Sequence, residues 1–217
     1  MSRGEAVPLD INDTGARRPL ASRSTGWARW LASRLAASPI TPNQISVASL
    51  AVAAVGGALI ACGGSWLAWL LAALCVQLRL LCNLLDGMVA VEGGKATATG
   101  PLFNELPDRI ADSLLLVPVG YAAGAPWLGW AAALLAALTA YIRVLGGSLG
   151  LAQSFAGVMA KQRRMAVLTA GLVAQAIETW FGDTRYCLLV VGIAIVAGSL
   201  ATCMTRTAAI ARQLTAR

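Results

Sequence analysis

Apolar runs of bilayer-crossing length follow one another along this chain with only short breaks between them, and no other feature limits its fold as strongly. A helix needs about 20 mostly apolar residues to cross a membrane. Counted against that length, spans are expected at 44–62, 66–88, 102–123, 127–149, 164–181 and 186–207. Gly63-Gly64-Ser65, Gly124-Ala125-Pro126 and Gly182-Asp183 supply breaks between them, glycine and proline being the strongest punctuators of regular structure. Hydrophobic residues make up 58 % of the chain and charged ones 12 %, against roughly 25 % charged in soluble domains. Mean hydropathy is +0.69. A water-facing globule and a disordered chain are both excluded. The expected fold class is all-α, a polytopic membrane protein of six transmembrane helices preceded by an interfacial amphipathic helix.

The chain ends differ from this apolar body. Residues 1–25 are rich in Arg, Asp, Gly and Ser and read as a flexible tail. No apolar stretch lies within the first twenty, so no cleavable signal peptide is expected. Residues 26–38 place Trp27, Trp30, Leu31 and Leu35 on one helical face, which suits a helix lying in the membrane interface. Thr41, Pro42 and Gln44 form an N-cap, a proline at the first helical position and a capping box for the first span. Trp66, Trp69, Trp127, Trp130 and Trp180 fall near span ends, as interfacial aromatics do. Residues 39–210 form the transmembrane domain, and 211–217 a second short tail.

Arg and Lys set the orientation. Six Arg precede the first span, Lys161, Arg163 and Arg164 lie between the fourth and fifth, and Arg206, Arg212 and Arg217 lie at the end. The positive-inside rule then puts both termini, and the loops after the second and fourth spans, in the cytoplasm. The formal charge of +7 belongs to a face touching anionic lipid. It is no nucleic-acid signal, because no basic and aromatic domain accompanies it. The localisation expected is a bacterial inner membrane.

Histidine is absent, which removes imidazole bases, Ser-His-Asp triads and His-bearing zinc sites together. Five cysteines lie scattered in apolar runs without a CxxC pair and read as small buried hydrophobes. Proton chemistry falls to carboxylates, lysines, tyrosines or cysteines.

Five of the ten acids, Asp86, Glu92, Glu105, Asp108 and Asp112, fall within residues 86–112. Acids at membrane depth are costly and mark functional sites. Arg79, Asn83 and Asp86 are spaced i, i+4, i+7 on one stripe of the second span, and Asn104, Asp108 and Asp112 are spaced i, i+4, i+8 on one stripe of the third. Facing stripes would gather oxygen ligands suited to a hard divalent cation such as Mg2+ or Mn2+. Gly87, Ala90 and Gly100 are small enough to let a phosphate or nucleotide approach the backbone.

The stretch Asn83-Leu84-Leu85-Asp86-Gly87-Met88-Val89-Ala90-Val91, followed by eight residues and then Gly100, Asn104 and Asp108, resembles the D-x-x-D-G-x-x-A-R-x8-G-x3-D-x3-D pattern of the CDP-alcohol phosphotransferases. Every spacing agrees. The Thr41-Pro42-Asn43 lead into the first span is also similar to that family, as is the six-span layout. The departures are Asn83 and Asn104 in place of the first and third aspartates, and Val91 in place of the arginine. The resemblance implies metal ligation by Asn83, Asp86, Asn104 and Asp108, with Asp108 as the base. It also implies a CDP group held near Asn43, Gly87, Ala90 and Gly100. Arg79, on the metal stripe, is expected to help with the pyrophosphate.

The activity implied is transfer of a phosphatidyl group from CDP-diacylglycerol, or another CDP-alcohol, to a small polar alcohol with release of CMP. Acceptor binding is expected of Arg143, Lys161, Arg163 and Arg164, basic residues near the motif end of the bundle. Gly120-x-x-x-Gly124 and Gly146-x-x-x-Gly150 fit close helix packing or a homodimer. Two other readings stay open: an inactive relative that binds CDP-lipid or scaffolds a partner, and a small transporter.

Overall fold

The computed structural model describes residues 25–182 and 184–216. All of the expected N-terminal tail except Thr25 lies outside the described residues. The described residues form seven helices: α1 (Gly26–Ala36), α2 (Pro42–Cys62), α3 (Trp66–Val91), α4 (Gly100–Ala122), α5 (Pro126–Ser148), α6 (Lys161–Phe181) and α7 (Tyr186–Thr215). The described residues contain no strand. Four helices, α2, α3, α5 and α7, are long and apolar enough to cross a membrane. The 23 residues of α4 and the 21 of α6 match them in length but carry most of the charge expected at a site. The last helix continues to Thr215, through most of the stretch expected to be a tail.

Local chemistry explains the helix boundaries. Thr41 caps α2 with its Oγ1 accepting from the Gln44 amide at 3.2 Å, and the Thr41 amide donates to Gln44 Oε1 at 2.9 Å. This is the expected capping box, with Pro42 at the first helical position. Ser65 caps α3 through the Ala68 amide. On α1, Ala28 and Ala32 pack inward beside Leu31 and Leu35, while Trp27 and Trp30 are exposed. Arg34 lies over the Trp30 ring at 5.3 Å, which keeps its charge at the surface.

Packing of α2 between α3 and α4 shapes the bundle. A Cβ on Gly57 would stand 2.2 Å from the Leu114 carbonyl oxygen, and one on Gly120 would stand 2.4 Å from the Gly129 nitrogen. Only glycine permits backbones to approach this closely. The expected glycine pairs are therefore used within the chain: Gly120 seats α4 on α5, Gly146 faces Ile210 of α7, and Gly124 and Gly150 turn the chain at φ of 70° and 74°. The core between the helices is built from Trp69, Val76, Leu115, Leu116, Leu168, Leu172, Leu188 and Ile195. Trp69 corrects the sequence expectation. It is fully buried, one turn beyond the exposed Trp66, and the Arg185 guanidinium lies over its ring at 5.5 Å. All five cysteines are free.

Candidate active site

The polar stripe of α3 meets that of α4. Arg79, fully buried, places Nη2 3.0 Å from Asp108 Oδ1 and 2.9 Å from Asp112 Oδ1. One turn along α3, Asn83 Nδ2 donates to Asp108 Oδ1 at 2.6 Å. Two residues spaced i, i+4 on one helix thus hold one carboxylate of the other, as the helical arithmetic requires. Isolated acids do not survive in apolar surroundings, and these two are hydrogen-bonded and paired.

Helix α6 completes the pairing. Arg164 Nη2 reaches Asp112 Oδ2 at 2.5 Å, and the Lys161 ammonium pairs with Asp108 Oδ2. The chain of alternating charges runs Arg164, Asp112, Arg79, Asp108, Lys161 and ties α3, α4 and α6 together. Arg109 Nη2 adds a longer contact to Asp108 at 3.5 Å and one to Glu105 at 3.6 Å. Glu105 also pairs with Arg143 of α5, whose Nη1 donates to Gln153 Oε1 at 2.6 Å.

Asp86 is held differently. Its Oδ2 accepts from Ser46 Oγ at 2.6 Å, a hydrogen bond where Asp108 and Asp112 have ion pairs. Ser46 was missed in the sequence. Its signal was a hydroxyl one turn past Asn43, one of the two serines in the apolar run of α2. Asn43 itself is half-buried and reaches Thr99 Oγ1 at 3.5 Å, which joins the start of α2 to the start of α4. Gly87 and Ala90 are half-buried on α3. Asn104, exposed one turn before Asp108, and Gly100 lie in the first two turns of α4.

Of the four basic residues expected to bind an acceptor, three are engaged by acids of the cluster: Lys161 by Asp108, Arg164 by Asp112 and Arg143 by Glu105. Arg163 is exposed and makes only long contacts of 3.4 and 3.5 Å to the Gly157 and Val158 carbonyls. It lines a cavity of about 730 Å³ together with Ser154, Phe155, Gln162, Thr205 and Arg206. Arg206, another residue the sequence reading left out of the site, is anchored to the Ala156 and Thr139 carbonyls at 2.8 and 2.5 Å.

The donors suit a hard cation in type, being carboxylate and amide oxygens. Among the described residues no three Asp, Glu, Cys or His side chains stand together as a ready-made metal site. Of the three buried acids, Asp86 alone has no ion pair among the described residues, while Asp108 and Asp112 are each paired. Asn83 spends its amide nitrogen on Asp108 and keeps its oxygen as a further donor.

No family model matches the chain. Mycobacterium tuberculosis phosphatidylinositol phosphate synthase (PgsA1) with CDP-DAG bound superposes with a TM-score of 0.68 over 84 % of this chain and 92 % of that one, at 18 % identity. The chain shares that fold. The same synthase in complex with manganese and citrate gives a TM-score of 0.69 over 84 % of this chain and 88 % of that one, again at 18 % identity. Two curated relatives are more similar in sequence over shorter stretches. Inner membrane protein YnbA of Escherichia coli (strain K12) is 34 % identical over 79 residues, covering 36 % of this chain and 39 % of that protein. The bifunctional IPC transferase and DIPP synthase of Rubrobacter xylanophilus is 34 % identical over 140 residues, covering 62 % of this chain and 31 % of that protein. The chain thus spans less than half the length of either curated relative.

Proposed function

We propose that the chain is a CDP-alcohol phosphotransferase that moves a phosphatidyl group from CDP-diacylglycerol to a small polar alcohol and releases CMP in phospholipid synthesis. The observation that carries this reading is the meeting of the motif's two halves. Asn83 of α3 is hydrogen-bonded to Asp108 of α4, at the motif positions whose spacing resembles that family, within a fold shared with a phosphatidylinositol phosphate synthase. Manganese in one structure of that synthase and CDP-DAG in another support the metal and donor classes.

In this reading all six long helices span a bacterial inner membrane, with α1 in the interface and the site and both termini cytoplasmic. Residues 39–210 are the catalytic domain, preceded by the interfacial helix within 26–38 and followed by the end of α7. Asp108 and Asp112 of α4 face Lys161 and Arg164 of α6 inside the bundle through the ion pairs above, which offsets part of the cost of carrying these charges across lipid. Asp86, Asn83, Asn104 and Asp108 would hold Mg2+ or Mn2+, and such an ion neutralises pyrophosphate and stabilises the departing phosphate. Asn43, Gly87, Ala90 and Gly100 line the approach of the CDP group, and Arg79 supports it through Asp108. Asp108 takes the proton of the acceptor hydroxyl. The acceptor enters beside Arg163 and Arg206 in the 730 Å³ cavity, with Lys161, Arg143 and Arg164 behind it, and the cations favour an anionic or strongly polar alcohol.

The two asparagines and the three cations on Asp108 favour a second reading, a non-catalytic relative that binds CDP-lipid. Purified protein in lipid nanodiscs separates the two. With CDP-diacylglycerol and a panel of polar alcohols, the enzyme forms CMP and a new phospholipid whose mass identifies the acceptor. A non-catalytic relative binds the CDP-lipid and forms neither.

A further inference from the structure

Asp108 is engaged on both oxygens, and on Oδ2 by cations alone. Oδ1 accepts from Arg79 at 3.0 Å and Asn83 at 2.6 Å, and Oδ2 pairs with Lys161 and lies 3.5 Å from Arg109. An ionised carboxylate offers about four acceptor positions; three are taken by hydrogen bonds and Arg109 stands at ion-pair distance from the remaining one on Oδ2, so an incoming hydroxyl must compete with two cations for that oxygen. The partners differ in their freedom to leave. Arg79 is fully buried and pinned by Asp112. Asn83 carries no charge, so its departure would give back none. Arg109 is the most distant and is shared with Glu105. Lys161 is the first residue of α6, its side chain 17 % exposed, with Ala160 and Gln162 on either side of it lining the cavity. Its flexible stem carries a mobile point charge.

We propose that Lys161 masks Asp108 in the resting protein, and that an anionic group on the acceptor draws the ammonium away, so that the base is freed only when an acceptor is in place. This rests on the phosphatidyl-transfer reading. The consequence is suppression of hydrolysis. In transfer, the acceptor oxygen attacks the phosphorus bearing the diacylglycerol, and the bond to the CMP oxygen breaks. The electron pair leaves with CMP, and the acceptor proton passes to Asp108. With Asp108 unmasked and no acceptor present, water can make the same attack and give phosphatidate and CMP, its proton again passing to Asp108.

The test compares CMP and phosphatidate formed from CDP-diacylglycerol without any acceptor by the wild-type protein and by Lys161→Met and Lys161→Gln. Both variants are expected to raise acceptor-independent release about tenfold or more, a fraction of what a freed general base supplies. CMP and phosphatidate should appear in equal amounts, and release should be lost again in Lys161→Met/Asp108→Asn. Inorganic phosphate, an anion that is not an alcohol, should raise the same release in wild-type protein, which tests the masking even if the variants fail to fold. Wild-type transfer to an acceptor, without acceptor-independent release in the variants or with added phosphate, would overturn the masking alone. Failure of wild-type protein to transfer to any acceptor would instead count against the phosphatidyl-transfer reading itself.

Discussion

Arg79 and Asp112 form an ion pair at 2.9 Å whose side chains are 0 % and 2 % exposed, and its other contacts make it the centre of the charged chain through the bundle. Arg79 extends it to Asp108, and Asp112 extends it to Arg164. Removing one member of such a pair strands a charge in apolar surroundings. Asp112→Ala is expected to cost about 3–5 kcal/mol, read as an earlier thermal unfolding transition of the solubilised protein. Arg79→Ala should in addition weaken CDP-lipid binding, because Asp108 loses the partner that positions it.

Restoring charge at the motif should act on metal affinity. Asn83→Asp keeps an oxygen at the same place and adds a carboxylate beside Asp108, so Mn2+ binding followed by electron paramagnetic resonance is expected to tighten. Unchanged or weaker Mn2+ binding would remove Asn83 from the ligand set. In the wild type, exhaustive chelation should stop CMP release, and added Mg2+ or Mn2+ should restore it.

The acceptor cavity gives a kinetic expectation. Arg163 lines it and is held only by long contacts, so Arg163→Gln should raise the acceptor's KM severalfold and leave CDP-lipid affinity nearly unchanged. Equal KM values in the two proteins would make Arg163 a determinant of orientation alone.

Close packing of α2 on α4 gives a stability expectation. A methyl group on Gly57 would meet the Leu114 carbonyl at 2.2 Å, and the obstacle is backbone, which cannot step aside. Gly57→Ala is expected to destabilise by about 1–3 kcal/mol, measured as a lowered unfolding temperature in detergent. A change of less than about 0.5 kcal/mol would show that the helices separate easily there.

Much of this architecture was legible because membrane helices announce themselves by length and their ends by local chemistry. The Thr41 capping box and the Gly63, Gly124 and Gly182 breaks all fall where the sequence places them. The spacing of Arg79 and Asn83 against Asp108 and Asp112 was legible too, since a helical stripe is fixed by a 3.6-residue period. Contacts between elements distant in sequence left weaker signals. Nothing local says that Ser46 reaches Asp86, that Arg164 turns inward to Asp112 while Arg163 stays out, or that Trp69 is core while Trp66 is surface. Each of those depends on the rotation of a helix about its axis, which packing sets. Arg206 was legible only as one more basic residue near the chain end, until the fold placed it on the cavity wall.

The most direct test of Asp108 as the base of a phosphatidyl transfer is the rate of CMP release from CDP-diacylglycerol in the presence of acceptor alcohols, measured for wild type and Asp108→Asn side by side with their CDP-lipid affinities. The expected result is acceptor-dependent release by the wild type, a fall of about a hundredfold or more in Asp108→Asn, and CDP-lipid affinity retained in both. Equal and acceptor-independent rates in the two proteins would contradict it.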